Sequence, residues 1–425
     1  MTLHAQLDRY IVISADTHGG TPAAGYRSYV DPKFRDDFDR WLQGHQEGIE
    51  RFRESLSASF RAKRTLEHEE ELQLFWDKQK IGIGTAAERL KIQEEDGVVA
   101  GVVYPVAAPE TVQPFGFGFG GGKEWSRELV WAGARAYNRW LADYCAEAPH
   151  RLFGIAVIPD LLDLDQAIEE VNWAAGSGSL RGGVTFSVDH RTAPLNDRRY
   201  DPFWGALEAN RQAVNMHFGF GRFHDPHLHG EGPDSSYMAT FDAEWQGYRP
   251  LAQLIIGGAF ERFPGLHAIF TEQSADWVPG HLKRITEALA AYQYNPRGAH
   301  KLSLTPHEYW RRNCGIGASF MAPKEARMRE EIGVETIMYG TDFPHPEGTY
   351  PHTVAHLRRT FEGVPSDEVQ MILSENAARL YGFDLEALAP IAARVGPPHA
   401  EVAAPLDQKP DHFHIFSNRN ERDYD

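Results

Sequence analysis

The chain has 425 residues, 42% of them hydrophobic and 24% charged, which suits a folded α/β protein with a sizeable core. Its formal net charge of −17 argues against an electrostatic grip on nucleic acid or an anionic membrane, and its two cysteines provide neither a disulfide framework nor a thiolate metal cluster. No run reaches the length of a transmembrane helix, and the N-terminus lacks a basic segment leading into an apolar core, so a cytoplasmic location is expected.

The stretch "RYIVISADTHGG" (9–20) opens with β-branched residues and stops at a glycine pair, the pattern of a buried strand. Residues two apart in a strand share a side, so Asp16 and His18 converge at its carboxyl end. A long charged, helix-forming departure then runs over 31–96. "GVVAGVVYPV" is the second strand, with no polar alternation and hence buried on both faces. The "FGFGFGGGK" that follows lacks the spacing and ending of a phosphate loop and reads as an aromatic lid carrying Phe115, Phe117 and Phe119.

"RLFGIAVIP", "RGGVTFS" and "AVNMHFG" are strands three to five, and the fifth ends on His217. Strands six to eight are "LHAIFTE", ending on Glu272, "NCGIGAS", and "ETIMYGTD", ending on Asp342. Helical stretches lie between most of them. Eight buried strands alternating with helices predict an α/β fold, a (β/α)8 TIM-type barrel, with a helical insertion after strand one and a C-terminal extension. An open doubly wound sheet is the competing architecture, but strand one lacks its glycine-rich phosphate turn. The expected barrel spans 9–395, with the insertion at 31–96 and a poorly periodic tail at 396–425.

Asp16, His18, His217, Glu272 and Asp342 all fall at strand ends, where a barrel gathers its site. Mixed nitrogen and oxygen ligands suit zinc, iron or manganese, and one or two divalent ions per chain are expected. His345, three residues past Asp342, is placed to orient it or to touch substrate. Arg222, His224 and Trp277 are expected at the substrate, and the loop histidines His224, His227 and His229 are read as substrate loop or surface in preference to extra ligands. The Lys283–Arg284 pair hints at a carboxylated substrate.

The ordered blocks "ISADTH", "MHFG", "GGAFERFPGLHAIFTEQSADWVPGHLKRI", "MYGTDFPHPEG" and "ILSENAARLYG" resemble the amidohydrolase superfamily. The likeness is to its amidohydrolase 2 branch, related to aminocarboxymuconate semialdehyde decarboxylase, and runs from about Ile11 to Gly382. The resemblance implies a metal-bearing (β/α)8 barrel with Asp16, His18, His217 and Asp342 at ligand positions. Two departures stand out. The chain opens Asp-x-His where many members have His-x-His or Glu-x-His. It also carries Glu272 where the branch's decarboxylases typically place an acid–base histidine.

From these features the expected activity is metal-dependent hydrolysis of a carbonyl-type bond. Asp342 would act as general base then acid, and Glu272 would hold a second metal or the water. Non-oxidative decarboxylation of an aromatic or muconate-type acid is the alternative. A small-molecule substrate and a homo-oligomer, a dimer, complete the expectations, with no nucleic acid or membrane partner.

Overall fold

The computed structural model describes residues 7–62, 84–116, 125–188, 191–218, 229–230, 232, 234–292 and 302–406. Eight parallel strands follow one another in chain order around a (β/α)8 barrel. They are β1 (Ile13–Gly19), β2 (Ala100–Pro105), β3 (Leu152–Ile158), β4 (Gly183–Phe186), β5 (Val214–His217), β6 (Ala268–Thr271), β7 (Cys314–Ser319) and β8 (Ile337–Gly340). All eight coincide with the runs expected from sequence.

The β8–β1 seam is closed by Asp342 N–H donating to Asp16 O (2.9 Å) and His18 N–H to Phe343 O (2.7 Å). The Ser14 hydroxyl reinforces it, accepting from Thr341 N–H at 2.8 Å. β1 slips register against β2 between Ser14 and Thr17, and the Thr17 hydroxyl bonds Val102 O. That irregularity re-aims the end of β1.

Two apolar layers hold the barrel. Inside the lumen, Ile11, Ile13, Val102, Phe153, Ile155, Ile269 and Met338 pack together. Outside, the alternate strand residues meet the helices, among them Arg127–Ala146, Leu164–Ser177 and Trp277–Tyr292. The bottom of the lumen is plugged from the C-terminal side. Phe383 stacks on Phe153 (3.8 Å, 5°), and the Tyr381 hydroxyl donates to Asn215 Oδ1 at 2.9 Å.

The expected insertion is a helix Arg35–Ala62 followed, after undescribed residues, by Ala86–Glu95, whose start carries a Thr85–Glu88 capping box. Phe115 is not part of a lid: it is buried against Phe38, Trp41 and Trp125. Phe117 and Phe119 lie outside the described residues. Residues 396–406 pack on the barrel, with Tyr10 N–H donating to Pro397 O and Arg358 to Ala404 O. The helix after β5 runs Ser235–Ile256 and passes through Pro250. Among the described residues no helix is long and apolar enough to cross a membrane.

Candidate metal centre

The mouth of the barrel gathers five donors from β1, β5, β6 and β8. Asp16, His18, His217 and Glu272 present atoms all within 4.8 Å of one another, as do His18, Glu272, Asp342 and His345. The two groups share His18 and Glu272, and so describe one centre. His18 Nε2 lies 3.4 Å from Asp16 Oδ1 and 3.2 Å from Asp342 Oδ1. His217 Nε2 lies 3.5 Å from Asp16 Oδ1 and 3.2 Å from Glu272 Oε2.

Backbone carbonyls aim both imidazoles. His18 Nδ1 sits 2.7 Å from Pro105 O, and His217 Nδ1 sits 3.1 Å from Phe218 O. A carbonyl only accepts, so each Nδ1 carries a proton and each Nε2 faces inward, the arrangement of metal-ligating histidines. Asp16 is held by its other oxygen, which accepts from the Ser319 hydroxyl at 2.5 Å. Gly340 makes room for it: a Cβ there would stand 2.9 Å from the Asp16 Cβ and from the Ser319 hydroxyl.

The backbone is strained where the donors leave their strands. Glu272 and Asp342 both have φ of 54°, a left-handed conformation that side chains other than glycine adopt at a cost of order 1–3 kcal/mol. Val106 and Phe320, following β2 and β7, are left-handed as well, with φ of 67° and 41°. The turned Val106 carbonyl meets His345 Nε2 at 3.0 Å, while His345 Nδ1 lies 2.9 Å from Asp342 Oδ1. Both His345 nitrogens face acceptors, an arrangement that favours the charged ring. It stacks on His18 at 3.9 Å.

Charge crowding sets the protonation. Burial would raise Asp16, but the His217 and His18 imidazoles outweigh it and hold the carboxyl well below the usual range. Burial opposes charge on His217, yet Glu272 and Asp16 lift it to about 9. Burial and the neighbouring Asp342 push Glu272 up to about 8. Burial would lower His345, but Asp342 raises it well above 6.5. Asp16 Oδ1, His18 Nε2, His217 Nε2 and Asp342 Oδ2 are buried with no hydrogen-bond partner. Buried polar atoms are almost always partnered. Three carboxyl groups and two inward imidazole Nε2 atoms converging on one point have the chemistry of a divalent-ion site, so the residues fit a metal.

The other expected site residues fare differently. Trp277 does not reach the mouth. The Thr271 hydroxyl meets Tyr104 in the lumen, so its neighbour Phe270 faces outward. Trp277 packs on that outward face, 5.6 Å from Phe270 and 5.1 Å from Tyr248. Lys283 lies on the solvent side of the same helix, near Glu287. His229 is buried with Nε2 at 3.3 Å from Asp242. Arg222, His224 and His227 lie outside the described residues. Ser319 was not singled out from sequence, although it too is a polar residue ending a strand, the signal that found the others.

A profile of the amidohydrolase family matches residues 87–383. The chain is 26% identical over 263 residues to the gamma-resorcylate decarboxylase of Rhodococcus jostii, covering 59% of this chain and 77% of that one. In structure it resembles the 5-carboxyvanillate decarboxylase of Sphingomonas paucimobilis, with a TM-score of 0.61 and 19% identity over 88% of this chain and 100% of that one. It also resembles a dihydroxybenzoic acid decarboxylase of a Polaromonas species with bound manganese and 2-nitroresorcinol. There the TM-score is 0.58 and the identity 18%, over 88% of this chain and 97% of that one.

These relatives overturn the expectation of hydrolysis, since their names are those of decarboxylases. That expectation leaned on Glu272 in place of an acid–base histidine. Glu272 itself stands in the donor cluster with Asp342 and His345, so it is the relatives that decide against hydrolysis. With its profile matched across 87–383 and its barrel intact, the chain belongs to the amidohydrolase family.

Proposed function

We propose that this protein is a metal-dependent, non-oxidative decarboxylase of an aromatic carboxylic acid. The activity of the Rhodococcus relative supports the reaction class. The observation that carries it within this chain is the Asp342–His345 pair, at 2.9 Å, on the rim of the donor cluster.

Decarboxylation of an aryl carboxylate breaks the bond between ring and carboxylate and forms a ring C–H bond, with carbon dioxide leaving. The reaction consumes one proton and no water. The proton resides on the His345 imidazolium, which outweighs burial to hold the Asp342 carboxyl below the usual carboxylate range, and Asp342 relays it from His345 Nδ1 to the ring carbon. The Val106 carbonyl holds His345 from behind, fixing its ring against His18. A divalent ion, manganese in this proposal, would be held by Asp16, His18, His217 and Asp342 and supply positive charge to bind the substrate's oxygens. Glu272 closes the donor cluster on the β6 side. The left-handed turns at Glu272 and Asp342 aim both carboxyl groups across the mouth rather than along their strands.

The test is headspace carbon dioxide from manganese-loaded protein given 2,6-dihydroxybenzoate, 5-carboxyvanillate and related hydroxybenzoates. Stoichiometric release with the decarboxylated phenol as the only product is expected. A protein inert to the whole panel, or one that turns over esters and amides instead, contradicts the proposal.

A further inference from the structure

Arg89 lies in the first turn of the helix Ala86–Glu95 and is 2% exposed. A guanidinium taken out of water is costly unless its charge and N–H groups are matched. Among the described residues no carboxylate stands at ion-pair distance from it. Its Nη1 instead donates to the His18 carbonyl oxygen at 2.5 Å. Its guanidinium carbon lies 5.1 Å from the centre of the Phe343 ring.

Those two contacts fall on opposite sides of the barrel seam. His18 is a donor on β1, and Phe343 directly follows Asp342 beyond β8. The backbone already joins them there, His18 N–H donating to Phe343 O at 2.7 Å. Asp342 holds its left-handed conformation one residue before the ring on which Arg89 rests. A planar guanidinium can donate in its plane and stack with its face at once, which an ammonium cannot. One buried side chain thus grips both strand ends at the level of the donors.

We infer that Arg89 is a positioning residue of the metal centre, clamping His18 and the Asp342–Phe343 turn into the geometry that accepts a divalent ion. The inference rests on the metal-centre reading above. Thr85 offers a control, because it caps the same helix without touching the seam.

The experiment is calorimetric titration of Mn2+ into the chelator-stripped full chain as wild type, Arg89→Met, Arg89→Lys and Thr85→Ala. Arg89→Met is expected to weaken Mn2+ binding roughly 10- to 100-fold, the range for a lost outer partner of a metal ligand. Arg89→Lys, which keeps a donor but loses the stack, should fall between it and wild type. Thr85→Ala should melt earlier yet bind Mn2+ within about two-fold of wild type, since the cap lies outside the outer shell of the centre. Arg89→Met binding as tightly as Thr85→Ala overturns the inference. Should Arg89→Met not fold, Phe343→Leu removes the ring face at similar volume, and unchanged Mn2+ affinity there overturns it equally. A wild-type chain that binds no divalent ion would instead overturn the metal-centre reading.

Discussion

The two ends of the barrel lumen are built from similar residues to opposite purposes. At the bottom, Asn215 Oδ1 accepts from Tyr381 and Tyr104, while its amide donates to Gly182 and Val184 carbonyls. Phe383 and Phe153 stack beneath, and polar demand there is met internally. At the top, two residues along the same strand, His217 turns Nε2 toward Asp16 and Glu272, and this atom, His18 Nε2 and Asp16 Oδ1 find no hydrogen-bond partner. The difference separates structure from function: at the bottom the polar groups satisfy one another, whereas at the top carboxylate and imidazole atoms converge on one point, as a divalent ion requires. Tyr104 joins the two ends, its hydroxyl in the lower network and its ring 4.7 Å from that of His217.

The comparison breaks most sharply at Asp342. Asp342→Asn should cut kcat by roughly 10²- to 10⁴-fold, the loss typical of an acid–base group, with far-UV dichroism unchanged. Full turnover in that variant would remove Asp342 from the chemistry. Ser319→Ala comes next. It frees the Asp16 carboxylate to rotate, and Mn2+ affinity measured by calorimetry should drop on the order of 10-fold or more while thermal stability changes little. Gly340→Ala crowds both Asp16 and Ser319 and should also weaken Mn2+ binding.

The bottom should respond the other way. Asn215→Ala strands the Tyr381 phenol and the carbonyls its amide served, while Tyr104 keeps Thr271, and should cost about 1–3 kcal/mol for each group left unpaired and unhydrated. Urea denaturation should show that loss, whereas kcat of the folded fraction should stay near wild type. A variant of ordinary stability but weak metal binding would mean the two ends are one unit.

The smallest effect concerns acid. His356 is buried behind β8, its Nδ1 2.9 Å from the Tyr339 hydroxyl, and burial with nearby Arg359 lowers it to about 3. It is neutral when folded and takes up a proton near pH 6.5 when unfolded. Its share of stability is therefore complete above pH 6.5 and declines as pH falls toward 3. Melting temperatures followed from pH 7.5 to 4.5 should fall more steeply in wild type than in His356→Gln.

Much of this was legible in the sequence because a strand's period of two and a barrel's geometry turn strand-end polar residues into convergent ones. Asp16, His18, His217, Glu272 and Asp342 could all be found that way. His345 was visible as a neighbour of Asp342, but its imidazolium role depends on the Val106 carbonyl, and a left-handed valine leaves no signature in sequence. Arg89 and Ser319 lie 71 and 303 residues from the residues they hold, beyond any local pattern. Trp277 misled because an aromatic just past a strand-end donor can turn to either face, and the packing of Phe270 and Tyr248 drew it outward. Glu272 misled differently: its identity argued for hydrolysis, whereas the relatives that share the barrel are decarboxylases.

The central claim is that the chain puts a proton on a ring carbon as carbon dioxide leaves. Turnover of a hydroxybenzoate by manganese-loaded protein in D2O tests it directly, with the product read by NMR and mass spectrometry. The account predicts one deuterium at the carbon that bore the carboxylate and no oxygen taken from solvent. A product with solvent oxygen incorporated and its carboxylate carbon retained would contradict it.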